Sequence, residues 1–385
     1  MIKVAIIGTG NISPQHIKGY LEFPDRCEIV ALVDIYPEKA VEKKERFDLK
    51  NAEVYDDYHK ALERDDIDLV DICTPPYTHA EIAVNALKAG KHVLVEKPMA
   101  ASLEECDLMI EAALRADRYL SVIAQNRFTN GFMKLKKVID SGLAGKIAHV
   151  QVNSFWWRGY SYYDLWWRGT WEKEGGGCTL NHAIHHIDLL IWLMGMPTEL
   201  VAFMSNAVHD NAEVEDISVA VLKYENGAIG QITSSVVHHG EEQEIIVQGE
   251  KARVSAPWKV YASLAAGNGF PMGRDEKLES ELNDLYNGIP ELKYTGHTGQ
   301  INDVLNAIEK KGELLISGVD GRNALELITA IYKSASLKQM VKLPLSKDDP
   351  FYTVSGIRAN VPRFNEKKIS IENFKEDHIT FGKVN

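Results

Sequence analysis

The chain has 385 residues, 45% hydrophobic and 25% charged, the make-up of a globular protein with room for two domains. Its 43 basic and 55 acidic residues give a net charge of −12, which opposes binding to nucleic acid or to an anionic membrane surface; neither partner is expected. Cys27, Cys73, Cys106 and Cys178 lie far apart with no C-x-x-C pair, so neither a disulfide framework nor a zinc knuckle is predicted.

Lys3-Val4-Ala5-Ile6-Ile7 reads as a buried strand, and Gly8-Thr9-Gly10-Asn11-Ile12-Ser13 opens a helix that runs to Leu21. The first two glycines suit a tight turn and close approach of the backbone to a pyrophosphate at a helix N-terminus. Ser13 takes the third position, a departure from strict G-x-G-x-x-G that is still small enough for helix-on-strand packing. A second strand, Glu28 to Val33, ends on Asp34, an acid placed to accept from the adenosine ribose hydroxyls. A 2′-phosphate about 4 Å from that carboxylate would be repelled by roughly 4 kcal/mol per unit charge at an effective dielectric of 20. Ile35, Tyr36 and Pro37 offer no cation to offset this, so NAD is expected rather than NADP.

Strand and helix patterns then alternate: helix 37–47, a short strand near Val54, helix 57–64, strand Leu69–Cys73, a turn at Thr74-Pro75-Pro76, helix 79–89, strand 92–95, helix 103–116 and strand 119–124. Such alternation implies crossovers and a parallel sheet with helices on both faces. The strand 92–95 leads into Glu96-Lys97-Pro98, which puts a lysine where doubly wound sheets gather ligands, beyond the carboxyl ends of the strands.

Beyond Gln125-Asn126-Arg127 the pattern changes. A helix near 132–141 precedes strand-like runs at 147–155, 199–208, 216–224, 228–237 and 243–248, with Asn226-Gly227 as a hairpin turn. Helices are predicted at about 180–194, 299–310 and 321–338. The expected fold is therefore α/β: a Rossmann domain over residues 1–124, and over 125–385 an α+β domain with a mainly antiparallel sheet and an ordered arm from about residue 346. The first strand pattern starts at residue 2 and the apolar run Ile187–Met196 carries Asp188 and Gly195, so neither a signal peptide nor a membrane span is predicted and a cytoplasmic location is expected.

Glycines 175–177 precede Cys178-Thr179-Leu180-Asn181-His182-Ala183-Ile184-His185-His186-Ile187-Asp188. On one helix Asn181, His185 and Asp188 share a face, and His182 and His186 turn away from it. His182 and His186 have the i, i+4 spacing of a metal pair, but Ala183 stands where H-E-x-x-H needs glutamate, and no metal is expected. Five tryptophans fall between 156 and 171, among Arg158, Tyr160, Tyr162, Tyr163, Asp164, Trp167 and Arg168. Flat aromatic faces complement the C–H faces of sugar and cyclitol rings and the polar groups bind hydroxyls, although the same residues are enriched at subunit interfaces. Arg158 and Arg168 also have the chemistry to clamp a carboxylate or phosphate.

Gly8-x-Gly10, Asp34, Thr74-Pro75-Pro76 with Thr78-His79, Gly90-Lys91-His92-Val93 leading into Glu96-Lys97-Pro98, and the glycine triplet ahead of His185 together resemble the glucose-fructose oxidoreductase / inositol dehydrogenase family, usually called Gfo/Idh/MocA, from residue 2 to about 345. The resemblance implies a Rossmann domain joined to a large open sheet whose face packs on another subunit, giving a homodimer or homotetramer. It also implies an E-K-P lysine between nicotinamide and substrate, followed by a peptide that is often cis. In polyol-oxidising members an aspartate four residues before the histidine assists; here Asn181 stands in its place, which throws more of the proton transfer onto His185. The residues expected at the cofactor are Gly8, Gly10, Asn11, Ile12, Asp34, Thr74, Pro75, His79, Glu96 and Lys97; those at the substrate are Asn126, Arg158, Tyr163, Trp167, Arg168, Asn181 and His185.

The expected chemistry is oxidation of a secondary hydroxyl of a sugar, cyclitol or sugar derivative by NAD. His185, with an ordinary pKa near 6.5, is mostly neutral at neutral pH and suits the general base. Lys97 would need its pKa lowered by about 3 units to act as a base, and is assigned to the developing alkoxide instead. An NAD-dependent glycosidase that oxidises its sugar transiently, and a non-catalytic dinucleotide-binding regulator, are the alternatives.

Overall fold

A computed structural model describes residues 1–372 and 374. It divides into two compact units, one of residues 1–128 and 292–325, the other of residues 129–291 and 326 onward.

The first unit is built on a parallel sheet of six strands: β1 (Ile2–Ile7), β2 (Cys27–Val33), β3 (Glu53–Tyr55), β4 (Leu69–Ile72), β5 (His92–Val95) and β6 (Leu120–Val122), in the order β3-β2-β1-β4-β5-β6. The central strands β1, β2 and β4 are buried on both faces along nearly all their length, as crossover helices require. The order reverses between β1 and β4, so the loops after these two strands flank the switch point where such sheets bind ligands. Segment 292–325, expected in the second domain, groups with this unit because the helix Gly296–Ile308 packs on the helix Ser13–Leu21, its Ile301, Val304 and Leu305 in one core with Val4, Ile6, Ile17 and Leu32. The buried Gln300 fastens it further: Oε1 accepts from Ala124 N–H and Nε2 donates to the Val122 carbonyl.

The second unit carries nine further strands: β7 (Ile147–Phe155), β8 (Glu199–Ser205), β9 (Ile217–Lys223), β10 (Ile229–Ser235), β11 (Gln243–Gly249), β12 (Ala252–Ala256), β13 (Lys259–Ala265), β14 (Pro271–Arg274) and β15 (Val341–Lys342). Their order is β14-β13-β12-β11-β7-β10-β9-β8-β15, antiparallel except where β7 meets β10. In β8 and β9 buried and exposed residues alternate, the period-2 pattern of a sheet covered on one face. The helices Asn130–Asp140 and Ile184–Met194 pack on the inner face. The expected arm from residue 346 lies along this same unit as far as described: Asn211 binds the backbone of Lys368 and Ile369, and Ile371 bridges to Leu165. Its last part, 375–385, lies outside the described residues.

Strands β12 to β14 and the helix Glu276–Gly288 were not evident in the sequence. Pro257 and the Gly267 and Gly269 turns cut this stretch into runs too short for a clear period. Among the described residues no helix is long and apolar enough to cross a membrane, and all four cysteines are free and buried.

Candidate active site

The dinucleotide half is built at the ends of β1, β2 and β4. Gly8 has φ +93°, and a β-carbon on it would meet the Cys73 carbonyl at 2.8 Å, so only glycine lets β1 turn this close to β4. Gly10 has open space where a β-carbon would stand, and Gly10 and Asn11 are exposed. The helix from Ser13 has no side-chain cap and no acid in its first turn, which leaves its N-terminus suited to an anionic pyrophosphate. Asp34 Oδ2 accepts from Thr9 N–H at 2.8 Å and Thr9 Oγ1 at 2.9 Å, and Oδ1 from Tyr36 N–H at 3.0 Å. A carboxylate oxygen has two lone pairs, so Oδ1 keeps capacity for a ribose hydroxyl. These residues fit NAD.

Glu96 and Lys97 follow β5, beside β4, with the Lys97–Pro98 peptide cis and Lys97 half-buried. Glu96, expected at the cofactor, is buried: Oε2 accepts the Lys97 N–H at 3.0 Å and Oε1 faces His16 Nε2 at 3.0 Å and His297 Nε2 at 3.6 Å. Burial works to raise the Glu96 pKa, but hydrogen bonds from His16 and His297 outweigh it and hold it well below the usual carboxylate range. His79, also expected at the cofactor, is fully buried. Its ring spans the Pro98 carbonyl at 3.0 Å and the Thr74 carbonyl at 2.8 Å, bracing the turns after β4 and β5, and burial lowers its pKa. Thr74 is half-buried, Pro75 exposed, and Ile12 and Asn126 half-buried.

In the second unit the glycine triplet is a packing necessity. A β-carbon on Gly176 would stand 2.2 Å from the Tyr332 hydroxyl. The buried Glu215 carboxylate accepts from Gly177 N–H, Thr179 N–H and the Tyr332 hydroxyl, each at 3.0 Å. In place of the expected single helix 180–194 the structure has two, Cys178–Asn181 and Ile184–Met194, so Asn181 and His185 sit on successive helices. Asn181 Nδ2 donates to the Gly176 and Gly177 carbonyls at 3.1 and 3.3 Å, and His185 is half-buried in the first turn of the second helix.

His182 and His186 point to different neighbours. His186 Nδ1 lies 2.9 Å from Ser154 Oγ, and burial holds its pKa at about 4. His182 Nε2 faces the Tyr162 hydroxyl at 3.3 Å. Neither belongs to a cluster of three potential metal ligands among the described residues.

Both arginines of the aromatic segment are paired internally: Arg158 with Glu241 at 2.7 Å, Arg168 with the buried Glu174 at 3.1 Å. The Arg168 guanidinium also stacks 4.2 Å from the ring centres of Tyr162 and Trp167. Burial raises the Glu174 pKa to about 7 against the pull of Arg168. Tyr163, expected at the substrate, is 1% exposed, its ring edge-on to Tyr162 and His209; Tyr162 is half-buried beside His182. His16, Asp71 and Glu215 went unremarked in the sequence. Asp71 carried a signal, a lone carboxylate inside the apolar run Leu69-Val70-Asp71-Ile72.

A family profile described as an oxidoreductase family with an NAD-binding Rossmann fold matches residues 2–124, and one described as the GFO/IDH/MocA C-terminal domain matches 132–255. Together they span well over half of the chain. The chain belongs to the GFO/IDH/MocA family. Its first unit is the family's NAD-binding domain, and the protein is an NAD-dependent oxidoreductase. The WlbA dehydrogenase of Bordetella pertussis, solved with NADH and UDP-GlcNAcA, is 30% identical with a TM-score of 0.76, over 90% of this chain and 98% of that one. Myo-inositol 2-dehydrogenase of Thermotoga maritima is 28% identical over 348 residues, 89% of this chain and 98% of the relative. Levoglucosan dehydrogenase of Pseudarthrobacter phenanthrenivorans is 25% identical, over 89% and 98%.

Proposed function

We propose that the protein oxidises a secondary hydroxyl on a neutral polyhydroxylated ring, a cyclitol or a sugar, with His185 as general base and Lys97 stabilising the alkoxide. The observation that carries this reading is the placement of Lys97 at the carboxyl end of β5, next to the switch-point strand β4, with its own N–H tied down by Glu96. NAD, when bound, accepts the hydride. His185 takes the hydroxyl proton, and the Lys97 ammonium donates a hydrogen bond to the oxygen as it becomes negative. Asn181, an amide without a titrating proton, binds and orients. A neutral ring is favoured over an anionic one because Arg158 and Arg168 each already face a carboxylate of the same unit. Two of the three relatives are named for inositol and levoglucosan, which supports the same class, while the third was solved with UDP-GlcNAcA.

Incubating the protein with NAD and, separately, myo-inositol, glucose, levoglucosan and UDP-glucuronate tests the reading through NADH absorbance. NADH formation with a neutral ring supports it. Formation with UDP-glucuronate alone overturns the neutral-ring assignment, and release of aglycone from a glycoside without net NADH favours a glycosidase.

The same proposal includes a homodimer or homotetramer. Val201 and Phe203 of β8 pair with Val221 and Val219 of β9 on the exposed face of the sheet, and Phe203 is 72% exposed. An apolar sheet face of this kind is what a second copy covers. Four free thiols fit the reducing cytoplasm.

A further inference from the structure

A buried ionisable cluster lies in the first unit beneath Lys97. His16, on the helix Ser13–Leu21, has no exposed surface and stands between two carboxylates: Nδ1 is 2.8 Å from Asp71 Oδ2, and Nε2 is 3.0 Å from Glu96 Oε1. An ionised carboxylate only accepts hydrogen bonds, so both contacts are satisfied together only by an imidazole that donates twice, the imidazolium. The second Glu96 oxygen accepts the Lys97 N–H. Three separate stretches supply the groups around the ring: Asp71 from β4 and Cys73 just after it with Sγ 3.7 Å from Asp71 Oδ1, Glu96 after β5, and His297 from the helix Gly296–Ile308, its ring 5.1 Å from His16. Tyr20, one turn on from His16, is buried beside Asp71.

We infer that Asp71, His16 and Glu96 form a buried positioning array that holds the backbone of Lys97, and that the array is whole only while His16 carries both ring protons. The inference rests on the reading of Lys97 as the alkoxide-stabilising residue. A neutral His16 donates to one carboxylate and leaves the other facing a lone pair inside the protein, which costs roughly 1–3 kcal/mol or more. Glu96 would then have His297 alone at Oε1, and its hold on Lys97 would loosen. The surroundings oppose that loss: burial pulls the His16 pKa down, but Asp71 and then Cys73 more than reverse it, and it stands well above the ordinary value. His16 Nε2, Glu96 Oε1 and His297 Nε2 also lie within 4.8 Å of one another, a spacing that suits a metal. A ring nitrogen that holds a proton for Glu96 has no lone pair for an ion, so the two states exclude each other.

The full-length protein labelled with [15N]histidine, recorded without substrate from about pH 6 to about pH 10, reads the array directly. The expected result is one histidine that keeps both ring nitrogens protonated to higher pH than an ordinary imidazole, absent from His16→Gln, with a midpoint that falls by about one unit or more in Glu96→Gln, because one of its two stabilising carboxylates is gone. With myo-inositol and NAD, the alkaline limb of the rate profile should move to lower pH in Glu96→Gln by the same shift, while NADH affinity by fluorescence stays within about threefold. A His16 that loses its second proton like an ordinary imidazole, a limb that does not move, or stoichiometric zinc that disappears in His297→Gln would each overturn the array. Should His16→Gln fail to fold, Glu96→Gln carries the same test. Lys97→Ala separates the two readings: full turnover there removes the role of Lys97, whereas lost turnover with an unshifted limb in Glu96→Gln removes the array alone.

Discussion

A β-carbon built on Gly177 would stand 1.8 Å from the carbonyl oxygen of Glu215. No side-chain rotation relieves a clash with backbone, so Gly177→Ala must displace the segment that leads into Asn181 and His185. The expected result is a loss of about 2–3 kcal/mol of stability, read by thermal melting, together with a fall in turnover at any temperature where the protein is folded. Gly131→Ala, in a helix with open space at the same position, is the control and should cost far less.

Replacing His185 by Ala should lower turnover by about 10²- to 10⁴-fold, the usual contribution of a positioned base. Lys97→Ala should be at least as damaging. Both variants should retain NADH binding by fluorescence titration, because neither carries the glycine turn nor Asp34. Turnover that survives His185→Ala moves the proton to another group.

Asp34 is expected to hold the cofactor preference. Asp34→Ala removes the charge that repels a 2′-phosphate, so the ratio of kcat/KM for NAD to that for NADP should fall by roughly 10²-fold or more. An unchanged ratio would place the discrimination elsewhere in the loop after β2.

His186 gives the fold an acid sensitivity of known sign. Its pKa is about 4 in the folded protein because burial disfavours the charged ring, and near 6.5 in an unfolded chain. The unfolded state therefore binds the extra proton first, and stability is present above about pH 6.5 and lost as pH falls toward 4, by about 3 kcal/mol from this residue. Denaturant melts of His186→Gln across that window should show a flatter decline than the native chain.

Phe203→Glu puts a charge at the centre of the exposed β8–β9 face. Sedimentation should then report a lighter species than the native protein while circular dichroism stays unchanged. An unaltered mass would mean that this face is not where copies meet.

The amino-acid sequence by itself determined the parallel unit almost strand by strand, along with Gly8, Gly10, Asp34 and Lys97. These are local signals: a buried parallel strand must be a continuous apolar run, and a turn against a phosphate needs glycine at set offsets from the strand end. It also marked the glycine triplet and His185. Tertiary structure alone decided the rest. Residues 292–325 return to the first unit because Gln300 and Ile301 find partners there, and nothing in their own period says so. The helix carrying Asn181 is capped by Glu215, distant in sequence, which accepts its first N–H groups. His16 becomes more than a helix histidine because two carboxylates, 55 and 80 residues further on, close on its two nitrogens. Long-range polar pairing leaves no period in the chain, since each partner looks locally like an isolated buried charge until folding brings the other to it.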